Sequence, residues 1–174
     1  MQYLVSLYFD EKTDKIFREH IKKVADKSGN AFMTDHHVPP HITIAAFETG
    51  DEEGAISSVE KGIEGLKSES LLWVSVGALP SGVLYAAPVL NRYLQEMSEK
   101  LYEQIKTIKD VKISKFYQPF QWFPHTTIAK KLTKEEMETA FAALQWDFTY
   151  REGKVVRIGL ATKQPYKEIK EWKL

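Results

Sequence analysis

Pro40-His41-Ile42-Thr43-Ile44-Ala45 recurs as Pro124-His125-Thr126-Thr127-Ile128-Ala129, identical at five of six positions and displaced by 84 residues (125 − 41). That displacement is too long for a solenoid period, so the chain carries two copies of one local device and not an array. Each copy reads as a strand, because β-branched residues follow a proline, which a strand accepts at its start or edge. Side chains alternate faces along a strand, so His41 and Thr43 share one face while Ile42 and Ile44 take the other. His125 and Thr127 are arranged in the same way. Each copy thus offers one imidazole and one hydroxyl, roughly 7 Å apart at the backbone. Two such faces meeting across a cleft would make a site with approximate two-fold symmetry.

The 174 residues are enough for one well-buried core or for two lobes sharing a cleft. A hydrophobic fraction of 43% with 28% charged residues is that of a folded globular chain and excludes disorder. Lys plus Arg equal Asp plus Glu at 24 each, which argues against long-range attraction to duplex nucleic acid and leaves a short or terminal nucleotide as a substrate. With no cysteine, disulfides and thiolate metal sites are both excluded. The apolar run 3–9 is too short for a signal core, contains Ser6 and has no basic leader. No segment approaches the length of a membrane span, so a cytoplasmic protein without a membrane partner is expected.

Outward from the repeat, residues 3–9 alternate as a strand that ends at Asp10, an expected helix N-cap. Ile16, Phe17, Ile21 and Val24 follow at helical spacing, with a stop near Gly29. A loop with Asp35, His36, His37, Pro39 and Pro40 delivers the first copy. Gly50 and Asp51 then open a helix with Ile56, Val59, Ile63 and Leu66 on one stripe. Residues 71–79 and 83–87 read as a hairpin around Pro80-Ser81-Gly82. The longest helix is expected next, with Leu94, Met97, Leu101, Ile105 and Ile108 inward. An irregular aromatic stretch, 110–123, runs into the second copy. Thr133 and Glu136 have capping-box spacing for a helix with Met137, Phe141 and Leu144 inward. A strand at 155–161, a turn near Gln164 and Pro165, and an edge strand ending at Leu174 close the chain. The order lacks the regular βα alternation and Gly-rich loop of a dinucleotide fold. The expected fold is α+β: a single domain, 1–174, of two βα lobes with mainly antiparallel sheets and outer helices about a central cleft.

Displacement at phosphorus is in line, so the entering and departing oxygens lie on opposite sides of the phosphoryl group. Without a metal, a proton acceptor is needed on one side and a donor on the other. Histidine suits both roles, because its unperturbed pKa of about 6.5 lies close to working pH. Threonine hydroxyls can donate hydrogen bonds to the non-bridging oxygens.

The paired His-x-Thr strands resemble the two-histidine (2H) phosphoesterase superfamily, which includes 2′-5′ RNA ligase-like proteins and cyclic nucleotide phosphodiesterases. The resemblance rests on His41-Ile42-Thr43-Ile44 and His125-Thr126-Thr127-Ile128 and implies a bilobal fold. It also implies His41 and His125 as the acid/base pair, with His41 preferred as donor and His125 as acceptor. Thr43 and Thr127 would hold the phosphate. The family often has Arg shortly after the second motif, where this chain has Lys130, which in an ideal pleat would alternate onto the apolar side. Family members hydrolyse 2′,3′-cyclic phosphates or make and break 2′-5′ linkages, and neither motif distinguishes these outcomes. The implied substrate is a small nucleotide or RNA terminus, with no cofactor and no metal.

The aromatic run before His125 could stack bases, each contributing about 1 to 3 kcal/mol. Tyr117 and Phe120 are the preferred exposed candidates, and the others are expected to fold onto the core. A metal reading would use His36, His37, His41 and Asp35, but no recognised ligand spacing is present. His36 and His37 are otherwise expected in a solvated loop, and His20 on the helix surface. Two alternatives to this reading remain: a module that grips phosphorylated RNA ends without turnover, and a phosphoesterase for a non-nucleic-acid substrate.

Overall fold

Strand β1 (Gln2–Phe9) buries Tyr3, Val5, Leu7 and Phe9 on one face, and turns Leu4, Ser6 and Tyr8 to the other. The computed structural model describes residues 1–164 and 166–174. After β1 come helix α1 (Glu11–Ser28), the short α2 (Phe32–Asp35), β2 (Ile42–Glu48), α3 (Glu52–Ile63), β3 (Ser70–Leu79), β4 (Val83–Pro88) and α4 (Arg92–Ile105). The chain ends with β5 (Lys112–Ile113), a 3₁₀ turn (Lys115–Tyr117), β6 (Thr126–Ala129), α5 (Lys134–Gln145), β7 (Arg151–Lys163) and β8 (Tyr166–Lys173).

The fold is α+β, with an antiparallel sheet of eight strands among the described residues. Its pairings form a closed circuit: β1 with β2, β2 with β6, β6 with β4, β4 with β3, β3 with β7, and β7 back with β1. β7 closes the ring by pairing with β3 through residues 151–154 and with β1 through 155–162. The arrangement maps onto itself when β1-α1-β2-α3 is exchanged for β4-α4-β6-α5 and β7 for β3. Helix packing obeys the same exchange, since α1 lies on α5 and α3 lies on α4. One core of buried aliphatic and aromatic residues, including Phe17, Trp73, Leu94 and Leu101, is shared by both halves.

Caps set the helix bounds. The Asp10 carboxylate accepts from the Thr13 backbone N–H at 3.1 Å, and Gly29 ends α1 at φ 78°. Asp51 and Asn91 cap α3 and α4, and Thr133 with Glu136 forms the complete capping box of α5. Because caps and not the apolar stripe decide length, α1 at 18 residues is the longest helix, and α4 has 14. Ile108 lies beyond α4: its N–H bonds the Ile105 carbonyl at 3.1 Å in a tightened turn that keeps the side chain buried, so the spacing overran the helix. The loop expected before β2 contains α2. His20 is half-buried and not on the open surface, its ring 5.8 Å from that of Phe148. In the expected turn near Gln164 and Pro165, Pro165 lies outside the described residues. No helix among the described residues is long and apolar enough to cross a membrane.

Candidate active site

The two sequence copies lie side by side. β2 and β6 are antiparallel neighbours, and Ile42 is the register partner of Thr126. Burial alternates identically in both: Ile42, Ile44, Thr126 and Ile128 are buried, whereas His41, Thr43, His125 and Thr127 are half-exposed. One step either side of the Ile42–Thr126 pair, His41 falls opposite Thr127 and His125 opposite Thr43. The histidines then occupy diagonal positions, about 7–8 Å apart at the backbone. The two faces expected from sequence to meet with approximate two-fold symmetry do meet, on adjacent strands of one sheet. The reason is that the approximate two-fold axis passes through the Ile42–Thr126 pair itself.

Both imidazoles are oriented by the same device. His41 Nδ1–H donates to the Pro39 carbonyl at 2.8 Å and His125 Nδ1–H to the Phe123 carbonyl at 2.9 Å. A carbonyl oxygen can only accept, so Nδ1 carries the proton and Nε2 is left for proton exchange with a ligand. The intervening residues, Pro40 and Pro124, fix φ and preset these turns, which is why proline belongs to the repeat. Burial pushes His41 below the ordinary histidine value; the Pro39 carbonyl opposes this, while the His125 and Lys130 charges add to it. Burial likewise lowers His125, against the pull of the Phe123 carbonyl.

Two tyrosines wall the site. Tyr8 on β1 lies with its ring centre 6.3 Å from His41, and Tyr85 on β4 lies 5.7 Å from His125. Each occupies room that only glycine leaves: a β-carbon at Gly159 would lie 2.8 Å from the Tyr8 ring, and one at Gly77 would lie 2.4 Å from the Tyr85 hydroxyl oxygen. Burial, and after it the neighbouring Tyr166, raises the Tyr8 pKa, and the Arg157 guanidinium covers its ring at 4.3 Å. Phe123, 46% exposed, stacks parallel to His125 at 6.0 Å and meets Tyr85 edge-on at 5.3 Å. Tyr8, Tyr85 and Arg157 were not singled out from sequence, whereas Phe123 was expected to fold onto the core; its exposure, like that of Phe116, corrects that expectation. Tyr8 had one visible signal, an aromatic on the otherwise less apolar face of β1.

The aromatic stretch divides its labour. Trp122 is buried and its indole N–H donates to the Thr43 carbonyl at 3.0 Å. Tyr117 is half-buried against the core; burial raises its pKa and the neighbouring Thr43 side chain opposes that shift. The expectation of an exposed ring is corrected: packing against the core leaves Tyr117 only partly accessible, beside Thr43. Phe120 is 82% exposed, as expected, and lines a surface cavity with Glu99, Tyr102 and Glu103 of α4 whose lining includes neither His41 nor His125.

Lys130 follows the end of β6, so strand alternation no longer governs it. It is half-buried, its ammonium lies 4.7 Å from the Phe32 ring centre, and its charge acts on His41. His36 and His37 are exposed. Among the described residues, no group of three or more His, Cys, Asp or Glu side chains gathers as a metal site would require, so Asp35, His36, His37 and His41 do not form one.

With this geometry established, the chain can be set beside known proteins. The profile of the family described as the 2′-5′ RNA ligase superfamily matches residues 14–165. Among solved structures, the protein TT0787 of Thermus thermophilus is similar at TM-score 0.64 and 15% identity, over 100% of this chain and 98% of that one. A protein described as a phosphoesterase is similar at TM-score 0.63 and 16% identity, over 99% and 98%. E. coli LigT complexed with 3′-AMP is similar at TM-score 0.57 and 14% identity, over 99% and 96%. No curated protein matches the chain by sequence. At these identities the solved structures establish the shared fold.

Proposed function

Because the chain belongs to the 2′-5′ RNA ligase superfamily of 2H phosphoesterases, we propose that it acts on a 2′,3′-cyclic phosphate or a 2′-5′ phosphodiester, on a small nucleotide or an RNA end, by two-histidine acid/base catalysis without a metal. The observation that carries this reading is the Ile42–Thr126 register, which gathers two imidazoles and two threonine hydroxyls on one face of the sheet. For a cyclic phosphate, His125 Nε2 takes a proton from water as its oxygen bonds to phosphorus. The ester bond to the departing ribose oxygen breaks, and His41, protonated at Nε2, supplies the proton that oxygen needs. Thr43 and Thr127 donate to the non-bridging oxygens, where charge develops. Reversal exchanges the two histidine roles, so one site serves hydrolysis and ligation.

The test is a panel of 2′,3′-cyclic mononucleotides and of 2′-5′ and 3′-5′ linked oligonucleotides, incubated with purified protein in the presence of a chelator, every product being identified. Turnover that survives chelation is expected. A module that only gripped phosphorylated ends would return every substrate unaltered, and activity abolished by chelation would sink the metal-free mechanism.

A further inference from the structure

The segment that leaves the second motif bends sharply. β6 ends at Ala129, and Lys131 adopts φ 60°, the left-handed region that side chains bearing a β-carbon enter at a steric cost. Consecutive residues of an extended strand point to opposite faces. The bend cancels that alternation, so both ammonium groups lie over one ring: Lys130 Nζ is 4.7 Å and Lys131 Nζ 4.5 Å from the centre of Phe32.

The bend is held from outside. Leu132 N–H donates to the Gly82 carbonyl at 3.0 Å, and the Asn30 side-chain amide donates to the Lys131 carbonyl at 3.3 Å. Gly82 itself, at φ 71°, presses so close that a β-carbon there would lie 2.2 Å from the Leu132 carbonyl oxygen. The ring is fixed as well, because His36 stacks on Phe32 at 4.0 Å and its Nδ1–H donates to the Phe32 carbonyl at 2.9 Å.

Two like charges are thus gathered on a rigid platform at a cost in repulsion. A third, Lys163 at the end of β7, acts on Lys130, and burial with both neighbouring lysines holds the Lys130 ammonium below its usual pKa. None of the ion pairs among the described residues includes Lys130, Lys131 or Lys163. Cations converging without a carboxylate between them attract an anion. Lys130 follows Thr127 by three residues, at most roughly 10 Å along the backbone, so its α-carbon lies outside the four motif residues that face the reacting phosphorus.

We propose that Lys130, Lys131 and Lys163 form a second anion subsite, next to His41, that holds a phosphoryl group of the substrate other than the one that reacts. The ligand class is a nucleotide with two phosphoryl groups, the second being either a terminal phosphate or the adjoining diester of an RNA end. That the anion belongs to a substrate rests on the phosphoesterase reading; that the lysines bind an anion does not.

Two measurements separate these. Calorimetry with inorganic pyrophosphate reads the subsite directly. The wild-type protein should bind it in a salt-sensitive manner, and the exposed pair K131A/K163A should bind it about tenfold more weakly. Equal affinity in both proteins overturns the subsite, whatever is found for turnover. Kinetics then compare a 2′,3′-cyclic nucleoside monophosphate, its 5′-phosphorylated form and a dinucleotide ending in the same cyclic phosphate. A second phosphoryl group should raise kcat/KM roughly fivefold or more through KM, and K131A/K163A should bring the ratio towards one. Preference for the 5′-phosphorylated monomer identifies a terminal phosphate, and preference for the dinucleotide a chain diester. Equal wild-type values on all three substrates overturn the subsite. No turnover on any of them overturns the phosphoesterase reading alone, leaving pyrophosphate binding to decide the subsite.

Discussion

Ile42 and Thr126, the middle residues of the two copies of one motif, are register partners on adjacent antiparallel strands. Their pairing sets His41 beside Thr127 and His125 beside Thr43, and points all four side chains to one face. They are also the single position at which the two copies differ. Thr126 is fully buried, and its hydroxyl accepts the Trp73 indole N–H at 3.1 Å. Trp73 is itself fully buried between Phe9 and Phe17, meeting both edge-on. One copy therefore needs an oxygen where the other needs only a hydrocarbon.

Thr126→Val should leave that indole N–H buried without an acceptor and cost about 1–3 kcal/mol. For a chain of this size, each kcal/mol shifts Tm by about 2–4 °C. Thermal unfolding should therefore show a drop of several degrees, while Ile42→Val costs about 0.5–1.5 kcal/mol by loss of a methylene alone. A Thr126→Val protein as stable as wild type would show that the indole finds another partner.

His41→Ala and His125→Ala should each lower kcat by roughly 10² to 10⁴-fold. Both side chains are half-exposed and bonded only to nearby carbonyls, so unfolding midpoints should stay close to wild type. Steady-state kinetics beside circular dichroism check both halves of the expectation. Full activity in either variant would remove that histidine from the mechanism.

Thr43→Val and Thr127→Val remove one donor each to the non-bridging oxygens and should reduce kcat on the order of 10²-fold, the size found for a single oxyanion donor. Tyr117→Phe should have a smaller effect in the same direction, because the Tyr117 hydroxyl neighbours the Thr43 side chain and is not itself a donor to the non-bridging oxygens in this mechanism. Kinetics of the three variants on one substrate would rank them. A Tyr117→Phe loss exceeding that of Thr43→Val would place Tyr117 in contact with substrate.

The pH profile follows from the lowered histidine pKa values. Burial favours the neutral imidazoles, so the population with one proton on the pair peaks below the ordinary value of about 6.5. The optimum of kcat/KM should lie on the acidic side of that value and fall as pH rises, when the donor loses its proton. The Lys130 charge helps to lower His41. Lys130→Met should therefore let His41 hold its proton to higher pH. If His41 is the donor, the alkaline limb moves upward; movement of the acid limb instead would make it the acceptor.

Much of this was legible because it is local. Alternation assigns β1 and the two motif strands, and Asp10, Asp51 and Thr133 announce helix starts, since a cap and its first turn are neighbours in the chain. Helix lengths were less legible, because Ile108 continues the apolar spacing of α4 through a turn that is no longer α-helical. Tyr117 was misplaced for another reason: whether an aromatic lies on the surface or beneath a strand depends on what the loop folds onto.

The sequence by itself determined that two identical devices exist, each with an imidazole and a hydroxyl on one face, because strand periodicity and proline geometry act within a few bonds. Only the tertiary structure decided that the devices share one sheet, that Tyr8 and Tyr85 wall them above two glycines, and that consecutive lysines converge on Phe32. Those relationships join residues tens of positions apart. They are set by register, by side-chain volume and by one left-handed backbone turn, none of which has a period that can be read along the chain.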